Sequence, residues 1–411
     1  MRYVIILSLI ILISCNNNRQ TEITGFRGPD RSGIYNEPGL FDSWPEVGPE
    51  EIFFTDSIGE GYGSPVIVDE LIYVTGTRDS TAILFCIDMT GHHVWQLELG
   101  KEWIKNYPGS RSTPTIAGDL LYVGSGYGNL YCIDLETRSI SWSKNMESDF
   151  NGILPMFGHS ESPVVLDEKV FWTAGGKVHN VVALNRFTGA LIWSAPGYGE
   201  RSAYNQPSVI TLASGRSIFV TFTAYHLLGL DTDTGELLWS HLQDNTSPSE
   251  RKKGIGDTHA NPVLFENNNL YYAAGDGNCG VKLSINSEGT KISEVWRNTH
   301  FDSYMGGIIK SGDYLYGSGT RTPRLKSVHA ETGIITDSLS IGSGVVIATD
   351  SMIYYYSQKG MMHLVSYNEG ILEPVSAFRI ARGTREHFSH PLIHKGVLYV
   401  RRGNALCGYR I

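Results

Sequence analysis

The sequence predicts an all-β chain built as an eight-bladed β-propeller of four-stranded antiparallel blades, and three observations carry that expectation. One unit recurs at a period of about 40 to 50 residues, which is the mark of a repeat architecture. Its clearest copy, Gly229–Trp239, ends one strand at Leu228 and Leu230, turns through Asp231, Thr234 and Gly235, and starts the next at Leu237. Cys86–Trp95, Cys132–Trp142 and Ala183–Trp193 repeat it, and Lys282–Trp296, Val328–Ile335 and Leu364–Pro374 do so more loosely. A second marker, a small or polar residue and then Pro, opens an apolar run at Ser64-Pro65, Thr113-Pro114, Ser162-Pro163, Gln206-Pro207, Asn261-Pro262 and His390-Pro391. Glycine replaces the proline at Gly306-Gly307 and Ser343-Gly344, giving eight units. Composition is the third sign: 46 Gly and 22 Tyr, with almost no long helix-like run beyond the N-terminus, suit many short strands and turns.

Residues 1–14 read as a secretion signal. Arg2 is followed by an apolar run too short to span a membrane comfortably, ending in a small residue. Residues 15–25 read as Cys15 plus a flexible tether, and residues 26–411 as one propeller domain. Phe26–Gly33 is rich in turn formers and precedes the first unit.

Each unit has room for four strands; in the first they are PVIV, LIYVTG, ILFCIDM and HVWQLEL. The last unit has only three before the chain stops. Glu50–Thr55, placed where a fourth strand stands in other units, supplies the missing one, so the N-terminus closes the ring and protects its edges. Gly344–Ile380 has no Trp; as an irregular insertion it would leave seven blades instead of eight.

A net charge of −9 and only two small basic clusters speak against nucleic acid as partner. The five cysteines show neither CxxC nor zinc-ligand spacing. Cys86, Cys132 and Cys407 fall at one point of the repeat and read as small buried apolar residues. The chain is expected to be a monomer.

With its Ala/Cys-x-Asp-x-x-Thr-Gly-x-x-x-Trp repeat, the chain resembles the pyrroloquinoline-quinone (PQQ)-like propeller family. Arg111-Ser112-Thr113-Pro114 leading into the following strands looks like the secreted bacterial members, which include relatives of the outer-membrane protein assembly lipoprotein and quinoprotein dehydrogenases. The resemblance implies that Trp95, Trp142, Trp193, Trp239 and Trp296 dock neighbouring blades; units six and seven lack that Trp. Leu12–Cys15 resembles a lipobox, which implies that Cys15 is lipidated, and Asn16 after it looks like delivery to the outer membrane, with the face left open. The family's dehydrogenases seat PQQ over adjacent cysteines beside calcium. This chain has no adjacent cysteine pair, so the resemblance implies no cofactor firmly, and PQQ with calcium is kept as the alternative.

In a propeller the segments leading into each first strand meet at one end of the channel, where binding groups concentrate. They carry Tyr62, Arg111, His159, Glu161, Arg201, Tyr204, Asn205, Asp257, His259, Asn261, Tyr304, Arg385, His387 and His390. Two readings stand: these groups satisfy one another and plug the channel, or Arg111, His159, Glu161, Arg201, His259 and His387, with Tyr204, Asn205 and Tyr304, line a pocket for a small anionic or sugar-like ligand. His159, Glu161 and His259 come from different blades without ligand spacing, and no metal is expected. The function expected is a lipid-anchored, non-catalytic binding or scaffold module at the outer membrane with a protein partner in the envelope. The alternative is a PQQ-dependent dehydrogenase oxidising alcohols or sugars.

Overall fold

A computed structural model describes residues 22–242, 259–275 and 279–411. The signal segment and Cys15 lie outside the described residues, as does Asp257. Eight antiparallel sheets follow one another around a ring, each running from an inner to an outer strand. Blade one is Val66–Val68, Leu71–Arg78, Thr81–Asp88 and His93–Lys101. The next six begin at Thr115, Val164, Ser208, Leu264, Ile308 and Gly344. Gly344–Arg379 holds four regular strands, so the ring has eight blades. The short helix Met146–Phe150 is the one helix among the described residues.

Blade eight is completed from the other end of the chain. Glu51–Thr55 pairs antiparallel with Ala405–Arg410, setting Phe53 opposite Gly408. From Ile52 on, its burial alternates: Phe53 and Thr55 face inward while Ile52 stays exposed and Phe54 half-buried, and a register shift sets Glu51 apart.

The recurring turn has a local chemical cause. The Asp231 Oδ1 accepts from the backbone N–H groups of Asp233 and Thr234, and Gly235 closes the loop at φ 74° by donating to Asp231 O. Asn185 does the same for Phe187 and Thr188. The turn then receives the Trp of the preceding blade. Trp142 Nε1 donates to Arg186 O, Trp193 Nε1 to Thr232 O and Trp296 Nε1 to Ala330 O, all within 3.0 Å. Trp95 and Trp239 pack into the aliphatic layers shared with blades two and five.

Blades six and seven solve the same problem with other residues. Asp337 stands at the Trp position, opposite Ser327, and its Oδ2 accepts from Leu372 N in blade seven at 2.9 Å. Ser376 stands there in blade seven and accepts from Trp44 N. The Trp44 ring then fills the space against Phe378 and Tyr354, so an indole reaches this seam from outside the repeat. Cys86, Cys132 and Cys407 lie buried in third strands, and burial pushes all three thiols up, to about 11 for Cys86 and about 12 for the others.

The segment before the repeats is not a free tether up to residue 25. Ile23–Thr24 adds a fifth strand to blade two, along the inner edge of Thr115–Ala117. The chain then crosses the channel to blade seven, where Ala348 N donates to Gly33 O and Tyr35 N to Ala348 O. Residues 23–35 therefore form a strap held by unpaired inner-strand edges, a force not visible in local composition.

Candidate functional site

The lead-in segments gather at one end of the channel, and among the described residues their polar side chains are engaged in separate sets of contacts. Glu161 is buried and accepts from Thr173 N at 3.0 Å and from Asn205 Nδ2 at 3.3 Å. Asn205 Oδ1 accepts in turn from Phe222 N, while its Nδ2 reaches Thr221 Oγ1. Thr173 and Thr221 meet at 2.6 Å, so this set is a clasp between blades three and four. Burial pushes Glu161 up to about 7 against the pull of these donors and of Arg31.

His159 is buried edge-on to Trp172, with Nε2 3.3 Å from Thr173 O. Burial holds it down to about 4, so the ring is neutral and that nitrogen donates to the carbonyl. His259 stacks on Phe222 at 5.3 Å. His387 Nδ1 lies 2.5 Å from the Tyr356 hydroxyl, and burial, aided by Arg402 and Arg379, holds it to about 4. Arg111 turns back on its own loop, donating to Gly109 O, Asn106 O and Tyr107 O. Arg201 lies over the Tyr225 ring, Tyr204 accepts from Phe157 N, and Tyr304 N donates to Thr320 Oγ1. Through these contacts Arg111, His159, Glu161, Asn205 and His387 brace loops and blade seams.

Two charged residues that sequence reading passed over occupy the channel itself. Arg27 is 2% exposed and donates to Val346 O, Ile308 O and Ser32 O at 2.8–2.9 Å, with His390 Nδ1 3.1 Å away. Because His390 Nε2 sits 2.9 Å from Met305 O, it carries the proton and Nδ1 accepts from Arg27. Arg31 donates to Pro207 O at 2.7 Å and to Pro163 O at 2.6 Å. Both hold αL backbone, φ 63° and 59°, and burial lowers both guanidinium groups to about 10. Five blades, three, four, six, seven and eight, thus bind one strap through two side chains. The available signal was two arginines inside a Gly/Pro-rich stretch; their acceptors on the blades lie 131 to 363 residues away, as Arg31 to Ser162 and Arg27 to His390.

The same end of the channel carries a belt of aromatic rings. Tyr62 meets Phe388 at 5.8 Å, Phe388 meets Tyr107 at 6.1 Å, Tyr107 meets Phe157 at 6.0 Å, and Phe157 meets Tyr204 at 5.8 Å. Tyr107 is 48% exposed, with Ile104, Ile153 and Met156 exposed nearby on the same loops. Lys105, over the Trp103 ring, and Arg385 add cationic groups. A large cavity, about 1280 Å³, lies elsewhere, between the strap and the inner strands of blades eight, one and two, and none of the nine sequence candidates lines it. Among the described residues, no three His, Cys, Asp or Glu side chains converge to hold a metal ion.

Comparison with known proteins now adds a family. The family model described as outer membrane protein assembly factor BamB matches residues 80–336. Among solved structures, BamB from Moraxella catarrhalis superposes with TM-score 0.60 at 13% identity, covering 87% of this chain and 98% of that one. The computationally designed Ika8 protein gives 0.57 at 11% identity, over 88% and 100%. At these identities the likeness shows the fold. A curated polyvinylalcohol dehydrogenase from a Pseudomonas species is 24% identical over 169 residues, 36% of this chain and 25% of that protein. The chain thus matches about a quarter of that relative's length.

Proposed function

Because the chain belongs to the family described as outer membrane protein assembly factor BamB, we propose that it is a non-catalytic binding propeller of the bacterial cell envelope, anchored through Cys15 to the outer membrane and docking a protein partner by its aromatic belt. The belt is the observation that carries this reading. Aromatic side chains and arginine dominate the buried centres of protein interfaces, because each covers much area at small entropic cost. Tyr62, Phe388, Tyr107, Phe157 and Tyr204 form such a run across lead-in loops of five blades, held rigid by the clasps beneath.

The residues present do not fit calcium-bound PQQ. The chain has no adjacent cysteine pair, and Arg27 and Arg31 fill the channel where the inner strands begin.

The test places a photo-crosslinking amino acid at Tyr107 or Met156 in cells. The reading expects one envelope protein captured from both positions, with capture lost in Phe157→Ala and retained in the control variant Ile371→Ala, whose side chain is exposed on the outer strand of blade seven. Absence of a shared product overturns it. Calorimetric titration of the full chain with PQQ, with and without calcium, decides the alternative: tight calcium-dependent heat would replace scaffold by oxidoreductase.

A further inference from the structure

The cavity opposite the aromatic belt has walls that the strap itself explains. In blades one and eight the inner strand ends in a tight two-residue turn: Asp69 and Glu70 have φ 50° and 58°, and Lys395 and Gly396 have 51° and 72°. Such a turn is closed by a hydrogen-bonded pair, here Val68 with Leu71 and His394 with Val397. Bonded and non-bonded pairs alternate in an antiparallel ladder. Ile67 and Ile393 are therefore non-bonded toward their own sheets, and their N–H and C=O groups point into the channel.

The equivalent position in blade two is Ile116, and the strap takes it, with Thr24 as its partner. In blade seven the strap takes Ala348, bonding both its N–H and its C=O. Blades eight and one lie between these two anchor points. Their edges at Ile393 and Ile67 face the cavity of about 1280 Å³, above the 300–1,000 Å³ usual for ligand pockets.

Charge narrows the ligand. Carboxylates of Glu22, Asp69 and Asp119 line the mouth and have no side-chain partner among the described residues. Glu37 is already engaged by the N–H groups of Lys395 and Gly396, and Glu70 by Lys395. Deeper in, Arg27 lines the wall, and its buried Nε has no partner. Apolar side chains, Ile67, Val68, Ile116 and Leu392, complete the walls.

We infer that this cavity is a binding site for an extended peptide with basic side chains, which adds as a strand to the inner edge of blade one or eight, as the strap does on blades two and seven. Main-chain hydrogen bonds to Ile67 or Ile393 give the affinity, and the mouth carboxylates select lysine or arginine. This site lies at the other end of the channel from the aromatic belt, so either can fail without the other.

The experiment is fluorescence anisotropy of the full chain with a labelled, end-blocked peptide of alternating lysine and valine, roughly six residues long, enough to run the length of an inner strand. Saturable binding is expected, with no binding of the glutamate–valine counterpart. N-methylation of the peptide amides is expected to weaken binding at least tenfold. Asp69→Asn with Asp119→Asn should weaken it several-fold and flatten its salt dependence. Ile67→Pro, which removes a channel-facing N–H outside the ladder, should weaken it while the melting temperature holds. Equal affinity of methylated and unmethylated peptides would reduce the contact to surface charge and overturn the inference, as would absence of binding.

Discussion

Replacing Arg27 by Ala tests whether the strap is a structural keystone. The guanidinium serves four acceptors, Val346 O, Ile308 O and Ser32 O at 2.8–2.9 Å and His390 Nδ1 at 3.1 Å. Truncation orphans all four. A buried acceptor left dry costs about 1–3 kcal/mol. Water from the adjoining cavity can reach these atoms, which places each at the low end, so the total loss expected is about 4 kcal/mol, in the range for a broken buried charge network. Arg27→Lys keeps a charge but not the planar fork and should recover no more than half. Urea denaturation of the three proteins measures the loss, and amide exchange at Tyr35 reads the strap directly, since its N–H is bonded to Ala348 O. Arg27→Ala within about 1 kcal/mol of the parent, with Tyr35 still protected, would refute the reasoning.

Three further outcomes are expected. Gly235→Ala would set a methyl 2.6 Å from the Trp193 ring at φ 74°, costing about 2–4 kcal/mol, whereas Gly312→Ala meets nothing within 4 Å and should cost about 1 kcal/mol; equal losses in thermal melts would discount the clash. Asp337→Ala removes the acceptor of Leu372 N and should cost about 1–3 kcal/mol with faster exchange at that amide; an unchanged exchange rate would deny the seam its polar bond. Glu161 binds its proton more tightly folded, at about 7, than unfolded, near 4.5, so its share of stability is whole below pH 4.5 and is lost as pH rises to 7. Glu161→Gln cannot titrate and should therefore gain about 2–3 kcal/mol relative to the parent across that window, and a flat difference between pH 4.5 and 7 would contradict the shift.

The ring was legible because its causes are local. Asp231 and Gly235 shape the turn within five residues, and the alternation in Glu51–Thr55 marks a half-buried strand wherever it pairs. Trp142, Trp193 and Trp296 announce a seam by bulk alone. Asp337 and Ser376 do not, since one uses a single carboxylate oxygen and the other borrows Trp44 from far upstream. The lead-in ring misled for a related reason: Glu161, Asn205 and His159 have the residue types of a site, but their partners, Thr173, just past the second strand of blade three, and Thr221, on that of blade four, are unremarked in a linear reading. Arg27 and Arg31 remained hidden because a turn-rich octapeptide gives no hint of acceptors on five distant blades.

The pairing of Phe53 with Gly408 has a consequence for how the molecule comes into being. Neighbouring blades form from contacts along adjacent stretches of chain, but blade eight needs Glu51–Thr55, made before blade one, and Ala405–Arg410, made after blade seven. Long-range closure of this kind is slow and leaves strand edges bare until it is complete. The strap lies before blade one and bonds blades two, three, four, six, seven and eight, so it must be in place when the circle shuts. During synthesis the blades gather around a strap made before them, and Ala405–Arg410, pairing with Glu51–Thr55, locks that strap inside.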